Sequence, residues 1–391
     1  MKFILWHSPD LKEKNKVFFT IFLRSFSFFY LLSFMTPLIY NSNLAFGEKF
    51  ALSFTLLIVL LYALTAFFAV PFLFLTYKYF GLRGGLIIGV LTSIVLFVLL
   101  EFKQFLLLAV VYSVESLFWW SSYYALFIAV EGKRHLGQLI GKDMFLRTVG
   151  VSFSPLLAGL ILNNIPDLYY LIGILLLLLV LLLVFSFKPH RVYNDIKIRD
   201  LALTCYSNKK DFFIYLIFGF ENGLFIFIWP LLLYTALNNF SSVGFLLFVV
   251  SLFSGFIVYL LGKYLDRYKD LSAKLESLGL LAFAVSWLGK FFCLEPIAFG
   301  VFDIVRRFFD GFVNLPLLRL AFSKAYSNDI NKTVAYVVFR ELALNSGIIA
   351  MCIVGLIFVY LGISLWWLLV LAGLLILLSN NFIQNFFITQ G

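Results

Sequence analysis

After Tyr170 come seventeen residues, LIGILLLLLVLLLVFSF, with no charge among them. Windows of about 20 nearly charge-free residues recur along the whole chain, and roughly 20 helical residues cross a hydrocarbon core. Inside lipid every backbone polar group must be satisfied internally, which leaves helices or a closed barrel. Barrel strands would alternate apolar and polar side chains, and these runs do not. The pattern predicts an all-α polytopic membrane protein. Composition agrees: 63% of the 391 residues are hydrophobic and 13% charged, too few polar groups to cover a soluble surface.

Several other classes are disfavoured. The net charge of +10 suggests nucleic acid only until its placement is considered, because basic residues collect in cytoplasmic loops. Cys205, Cys293 and Cys352 are odd in number and far apart, which gives neither a disulfide framework nor a metal cluster. His7, His135 and His190 fall in loops. No phosphate-cradling G-x-x-x-x-G-K-[ST] stretch is present. No cofactor and no catalytic residue is expected. Sixteen mostly polar residues precede a first span too long for a signal-peptide core, so no cleavable signal is expected.

Twelve spans are read, at roughly 17–40, 50–76, 85–101, 104–130, 139–162, 167–187, 212–236, 241–262, 273–293, 296–322, 333–361 and 363–387. The breaks carry turn chemistry, such as "YFGLRGG" at 79 and "NNIPD" at 163. The N-terminal segment and the even-numbered connections hold 21 Lys and Arg, and the odd-numbered connections hold only Lys49, Lys103 and Lys290. That asymmetry predicts both termini in the cytoplasm and an inner or plasma membrane location.

The longest polar stretch, 188–211, reads as a cytoplasmic linker with room for a short surface helix. It divides an N-terminal six-helix half, 1–187, from a C-terminal one, 212–391. Two landmarks repeat across the divide at one offset of 193: Pro37 with Pro230, and Arg147 in "FLRTVG" with Arg340 in "VFRELA". A shared offset at two distant places indicates a parallel 6+6 repeat.

On these features the chain resembles the major facilitator superfamily. "GKYLDRYKD" from Gly262 is similar to that superfamily's G-x-x-x-D-R signature, with Asp266 and Arg267 in the signature positions. "TYKYFGLRGG" in the first half keeps Gly81 and Arg83 but lacks the Asp. "GVSFSPLLAG" from Gly150 resembles the G-x-x-x-G-P-x-x-G-G signature of span five, with Ser154 and Ala158 replacing two glycines. In the drug-antiporter subgroups the span-five signature is usually fuller. The resemblance implies that spans one, four, seven and ten line a central cavity, that five and eleven flank it, and that the rest support from outside.

Charge at bilayer depth is costly and marks function or paired structure. Arg24 stands in span one, Glu115 in four, Arg147 in five, Glu221 in seven, and Arg340 with Glu341 in eleven. Span ten holds Asp303, Arg306, Arg307, Asp310 and Arg319, the last near the cytoplasmic end where it snorkels. Span nine has only Lys290, placed near its outer end. At about 100° per residue, Asp303, Arg306, Arg307, Asp310 and Asn314 share one stripe about 100° wide. Asp303 pairs with Arg307 and Arg306 with Asp310 at i,i+4. Substrate or coupling roles are assigned to Arg24, Glu115, Glu221, Asp303, Arg306, Arg307 and Asp310. Gating or structural roles go to Arg147, Asp266, Arg267, Arg340 and Glu341. Glu115 is expected to line the cavity on a face with Tyr112, Trp119 and Ser122.

The expected function is a secondary transporter of a small solute working by alternating access as a monomer in lipid, with protons as one candidate coupling ion. An amphiphile or multidrug efflux antiporter of the same fold is the alternative. A channel or non-transporting receptor and an integral-membrane enzyme are the competing classes. The enzyme lacks any visible nucleophile–base set or metal cluster at depth.

Overall fold

The computed structural model describes residues 11–131, 136–187, 198–267, 269–292, 296–327 and 329–388. His7, His135, His190 and Cys293 lie outside the described residues, and so do the side chains of Asp266 and Arg267. The first half comprises α1 (Leu11–Asn43), α2 (Glu48–Glu101), α3 (Phe105–Glu131), α4 (Leu136–Asn164) and α5 (Pro166–Phe185). A short helix, α6 (Ile198–Ser207), leads to the second half: α7 (Lys209–Leu237), α8 (Phe240–Arg267), α9 (Lys269–Phe292), α10 (Pro296–Ala325), α11 (Ile330–Leu361) and α12 (Trp367–Ile388).

With 54 residues, α2 is two spans. Its direction breaks at Gly81, which sits at φ 67° and ψ −169°, a region closed to side chains with a Cβ. This is the expected turn in "YFGLRGG". Among the described residues, seven helices are long and apolar enough to cross a membrane, and α8, α9 and α12 carry shorter apolar stretches. The exception is α10, whose charges stand in mid-helix. The described residues form an all-α integral membrane fold, with twelve spans in two six-helix halves when the two legs of α2 are counted separately. Twelve alternating spans put the start of α1, the end of α12 and α6 on one face, called here the termini-bearing face.

Each half repeats the same internal pairings. α1 packs on α4 as α7 packs on α11, and the second leg of α2 packs on α3 as α9 packs on α10. Between halves, the broadest seam joins α4 to α8, and a second joins α11 to α2. The α4–α8 seam explains part of "GVSFSPLLAG". A Cβ on Gly159 would stand 2.4 Å from the Phe240 carbonyl oxygen, and one on Gly244 2.3 Å from that of Pro155. Only hydrogen fits at both places, so the two backbones touch. Pro230 follows a wider π turn over Leu224–Ile228 in α7. Proline removes one backbone donor and forces such an adjustment. The turn swings Phe225 and Phe227 toward the middle of the molecule.

Candidate functional site

A cavity of about 320 Å³ lies between the halves. Aromatic side chains line it from both halves: Phe28 and Phe29 from α1, Tyr62 from α2 and Tyr112, Trp120 and Tyr124 from α3 face Tyr215, Phe218, Phe225 and Phe227 from α7, so the halves differ in charge. The α3 residues Tyr112, Ser116, Trp120 and Tyr124 are spaced by four and so form one helical stripe. The second half supplies the charges: Glu221, Arg306, Arg307, Asp310, Arg340 and Glu341. From the first half only Arg147 joins them.

In the C-terminal half the stripe of α10 is held in a network. Glu221 Oε1 accepts from Arg306 Nε at 3.1 Å and from its Nη2, and from Trp287 Nε1 at 3.2 Å. Arg306 also lies 4.0 Å from Asp310 and 3.6 Å above the Phe225 ring. Asp303 takes Lys290 on one oxygen and Arg307 Nε, at 3.3 Å, on the other. Asp310 accepts from Asn314 Nδ2 at 2.7 Å and keeps 29% of its side chain exposed. The two i,i+4 pairs therefore form, but each is shared with a stronger partner from α7 or α9. An uncompensated buried charge would cost several kcal/mol, and sharing removes it.

Two expectations need correction here. Lys290, counted above with the outer connections, is fully buried, 3.9 Å from the Trp229 ring centroid and 4.2 Å from that of Trp287. Asp303 does not face the cavity. It is 1% exposed and turned toward α9, because Lys290 draws it away.

A third correction concerns the N-terminal half. Arg24 and Glu115, both given substrate or coupling roles above, are paired with each other, and neither lines the cavity. Position 115 lies one residue, about 100°, off the lining stripe. Its carboxylate points toward α1 and the second leg of α2, where Ser93 Oγ sits 3.1 Å from Arg24 Nη2 and 3.3 Å from Glu115 Oε1. Phe28 covers the guanidinium at 4.0 Å and meets Tyr112 at 5.8 Å. These two rings are the wall that separates the pair from the cavity. Trp119 and Ser122, expected beside Glu115, are likewise buried behind it.

The two pairs are counterparts with signs exchanged. In the first half the first span carries the base and the fourth the acid, Arg24 with Glu115. In the second half α7 carries the acid and α10 the base, Glu221 with Arg306. Only the second faces the cavity.

Contacts cross the seam on both sides of the cavity. On the termini-bearing side Arg147 Nη1 donates to the Tyr124 hydroxyl at 3.0 Å, while Asp143, four residues earlier, pairs with the same guanidinium. Arg340 bonds Glu341 at 2.7 Å and lies 5.2 Å from the Tyr124 ring. Tyr124 and Phe127 also pack on Phe322 of α10, at 5.3 and 5.7 Å. On the opposite side Tyr62 stacks on Tyr112 at 4.2 Å, and both meet Phe227. Thr36 Oγ1 donates to the Phe227 carbonyl at 2.7 Å, linking α1 to α7.

Sequence reading missed Asp143, Ser93 and Tyr124, and it named Lys290 without giving it a role. Asp143 carried a signal, since it lies four residues before Arg147 on one helix face. Ser93 carried none.

No protein-family model matches the sequence, and no curated protein matches it. Solved structures do match in shape. The human organic anion transporter MFSD10 (TETRAN) superimposes with a TM-score of 0.73 at 13% identity, over 96% of this chain and 99% of that one. A D-xylose-proton symporter gives 0.70 at 12%, over 95% and 97%. A partially occluded, inward-open form of the E. coli xylose transporter XylE gives 0.67 at 12%, over 94% and 97%. At such identities the likeness speaks for the fold, over nearly the whole length of each chain. The resemblance drawn from the short motifs thus holds for the architecture: this chain has the fold of the major facilitator superfamily transporters.

Proposed function

We propose that the protein is a secondary transporter that carries a small solute through the central cavity by exposing it alternately to the two faces. The observation that carries this reading is the cavity itself, lined by both halves, with contacts that cross the seam on either side of it. At about 320 Å³ it stands at the small end of ligand sites, which run from about 300 to 1,000 Å³.

The charge pattern supports a solute without net negative charge. Each lining arginine already faces a carboxylate: Arg147 with Asp143, Arg306 with Glu221, Arg307 with Asp303 and Arg340 with Glu341. An organic anion would have to break one of these pairs. Asp310 is the most exposed acid, and the buried Asn345 Oδ1 has no protein partner. Both accept hydrogen bonds from hydroxyl or ammonium groups. The aromatic lining suits a ring or an apolar face. Uncharged polyols, the class to which xylose belongs, are the first solutes to test. The same aromatic lining favours the second reading, efflux of an amphiphile.

For coupling, Asp310 is our candidate proton site, with Glu221 and Arg306 as its neighbours and Arg307 as a substrate contact. Arg24, Glu115 and Asp303 are assigned to holding helices in place, and Arg147, Arg340 and Glu341 to gating. The basic asymmetry of the connections supports termini in the cytoplasm of an inner or plasma membrane. The test is counterflow in proteoliposomes with labelled D-xylose, D-glucose, benzoate and tetraethylammonium. Saturable exchange of a neutral solute or the cation supports the reading. Exchange of benzoate alone would overturn the charge argument, and linear, unsaturable flux would overturn the carrier.

A further inference from the structure

Helix α6 lies outside the spans and has two unlike sides. Leu201 is buried, and the helix rests against α11. The other side is open: Ile198, Leu203 and Tyr206 are 59%, 53% and 73% exposed. At ten residues it is about 15 Å long, too short to cross a membrane. At about 100° per residue, Arg199, Leu203 and Tyr206 fall within a stripe about 60° wide. Lys209 and Lys210, the next residues after Asn208, are exposed, and Lys209 Nζ lies 4.3 Å from the Tyr206 ring centroid. The stripe therefore combines an aliphatic side chain, an amphipathic aromatic and a cation, with Lys209 against the Tyr206 ring, and Ile198, Asp200 and Lys210 are exposed beside it.

We infer that the open face of α6 lies in the headgroup layer of the leaflet on the termini-bearing side and binds anionic lipid. A short amphipathic helix joined directly to a span sits at the height of the interface. There its aliphatic groups reach the acyl boundary, tyrosine occupies the headgroup level, and arginine and lysine meet phosphate. The charge complementarity favours an anionic bilayer surface over a second protein. The inference concerns the linker alone and does not depend on which solute, if any, the cavity carries.

The test is hydrogen–deuterium exchange of 198–207 in nanodiscs of phosphatidylcholine, compared with the same lipid containing phosphatidylglycerol. Each basic group near an anionic surface strengthens binding about fivefold. The amides of α6 are expected to exchange at least about fivefold more slowly with the anionic lipid, and 0.5 M NaCl should remove most of that difference. The triple variant Arg199→Gln, Lys209→Gln, Lys210→Gln should show no lipid dependence, with unchanged exchange in α7 and α11 reporting an intact fold. Leu203→Ser with Tyr206→Ser should speed exchange in both lipids. Equal exchange of the wild-type helix in the two lipids would overturn the inference. Protection that follows protein concentration instead of lipid charge would assign the face to a protein partner and overturn it equally.

Discussion

Arg147 of α4 and Arg340 of α11, from opposite halves and 193 positions apart, converge on one ring, that of Tyr124, with their guanidinium carbons 5.4 and 5.2 Å from its centroid. In sequence they were recognisable as repeats of one another. In the structure they meet on that ring across the seam, and we propose that they act together as a clasp on the termini-bearing side. A partly desolvated cation–π contact is worth up to about 2 kcal/mol, and a hydrogen bond to a charged group about 1.5–3 kcal/mol.

Removing one clasp member should therefore favour opening on that side. Arg340→Ala is expected to raise the labelling rate of Asn314→Cys by an impermeant maleimide from the termini-bearing face about five- to thirtyfold, taking 1.4 kcal/mol as one decade. Tyr124→Phe, which keeps the ring and loses the hydroxyl, should give a smaller rise. Solute affinity should change little in either. An unchanged labelling rate with a large loss of affinity would place these residues in the binding site instead.

The exchanged-sign pairs predict different outcomes for equivalent changes. Glu115→Gln leaves Arg24 buried without its counter-charge and should destabilise the protein by about 3–5 kcal/mol. Arg24→Met with Glu115→Met should recover most of that loss, because an apolar replacement of a buried pair is often neutral. Thermal unfolding in detergent measures both. Any transport retained by the double variant should show normal affinity. If the double variant folds and loses solute binding, the pair belongs to the site after all.

Asp310→Asn should separate coupling from carriage. Solute exchange is expected to continue within a few-fold of wild type, while a pH gradient no longer drives accumulation. Gradient-driven uptake at the wild-type level in this variant would exclude Asp310 as the coupling acid.

The α4–α8 seam makes a steric prediction. Gly159→Val puts branched carbons where even a Cβ meets the Phe240 carbonyl oxygen at 2.4 Å. Overpacking of this kind costs about 1–3 kcal/mol or more, and a lower unfolding temperature would register it. Equal stability would mean that the seam yields easily.

Orientation is checked with Ser207→Cys and Asn238→Cys, both at exposed positions on opposite faces. In cells, an impermeant thiol reagent should label the second from outside and leave the first untouched. Labelling of Ser207→Cys from outside would reverse the topology.

The architecture was largely legible in the sequence because lipid imposes a strong, repetitive constraint. Charge-free runs mark spans, and turn chemistry at "YFGLRGG" located the break that α2 makes at Gly81. The site was less legible. Helical spacing correctly grouped Asp303, Arg306, Arg307, Asp310 and Asn314, but a wheel shows only which residues share a face, not what that face meets. Lys290 on α9 turned Asp303 away from the cavity, and that is a tertiary fact. Glu115 failed similarly: its neighbour Ser116 lines the cavity, and a rotation of one residue hides the acid behind Tyr112. The gathering of nearly all the lining charges on the second half was visible only after folding.

The central claim is that two six-helix halves rock around the cavity. Double electron–electron resonance tests it without knowledge of the solute. One spin-label pair spans the termini-bearing face, at Tyr79 and Lys332, and a second spans the opposite face, at Ser42 and Asn238. Each is measured in the wild type and in Arg340→Ala. The account predicts two populations for each pair and a reciprocal shift: the variant gains the long distance on the termini-bearing face and loses it on the opposite one. One fixed distance at each face, unchanged by the variant, would describe a rigid scaffold and contradict transport by alternating access.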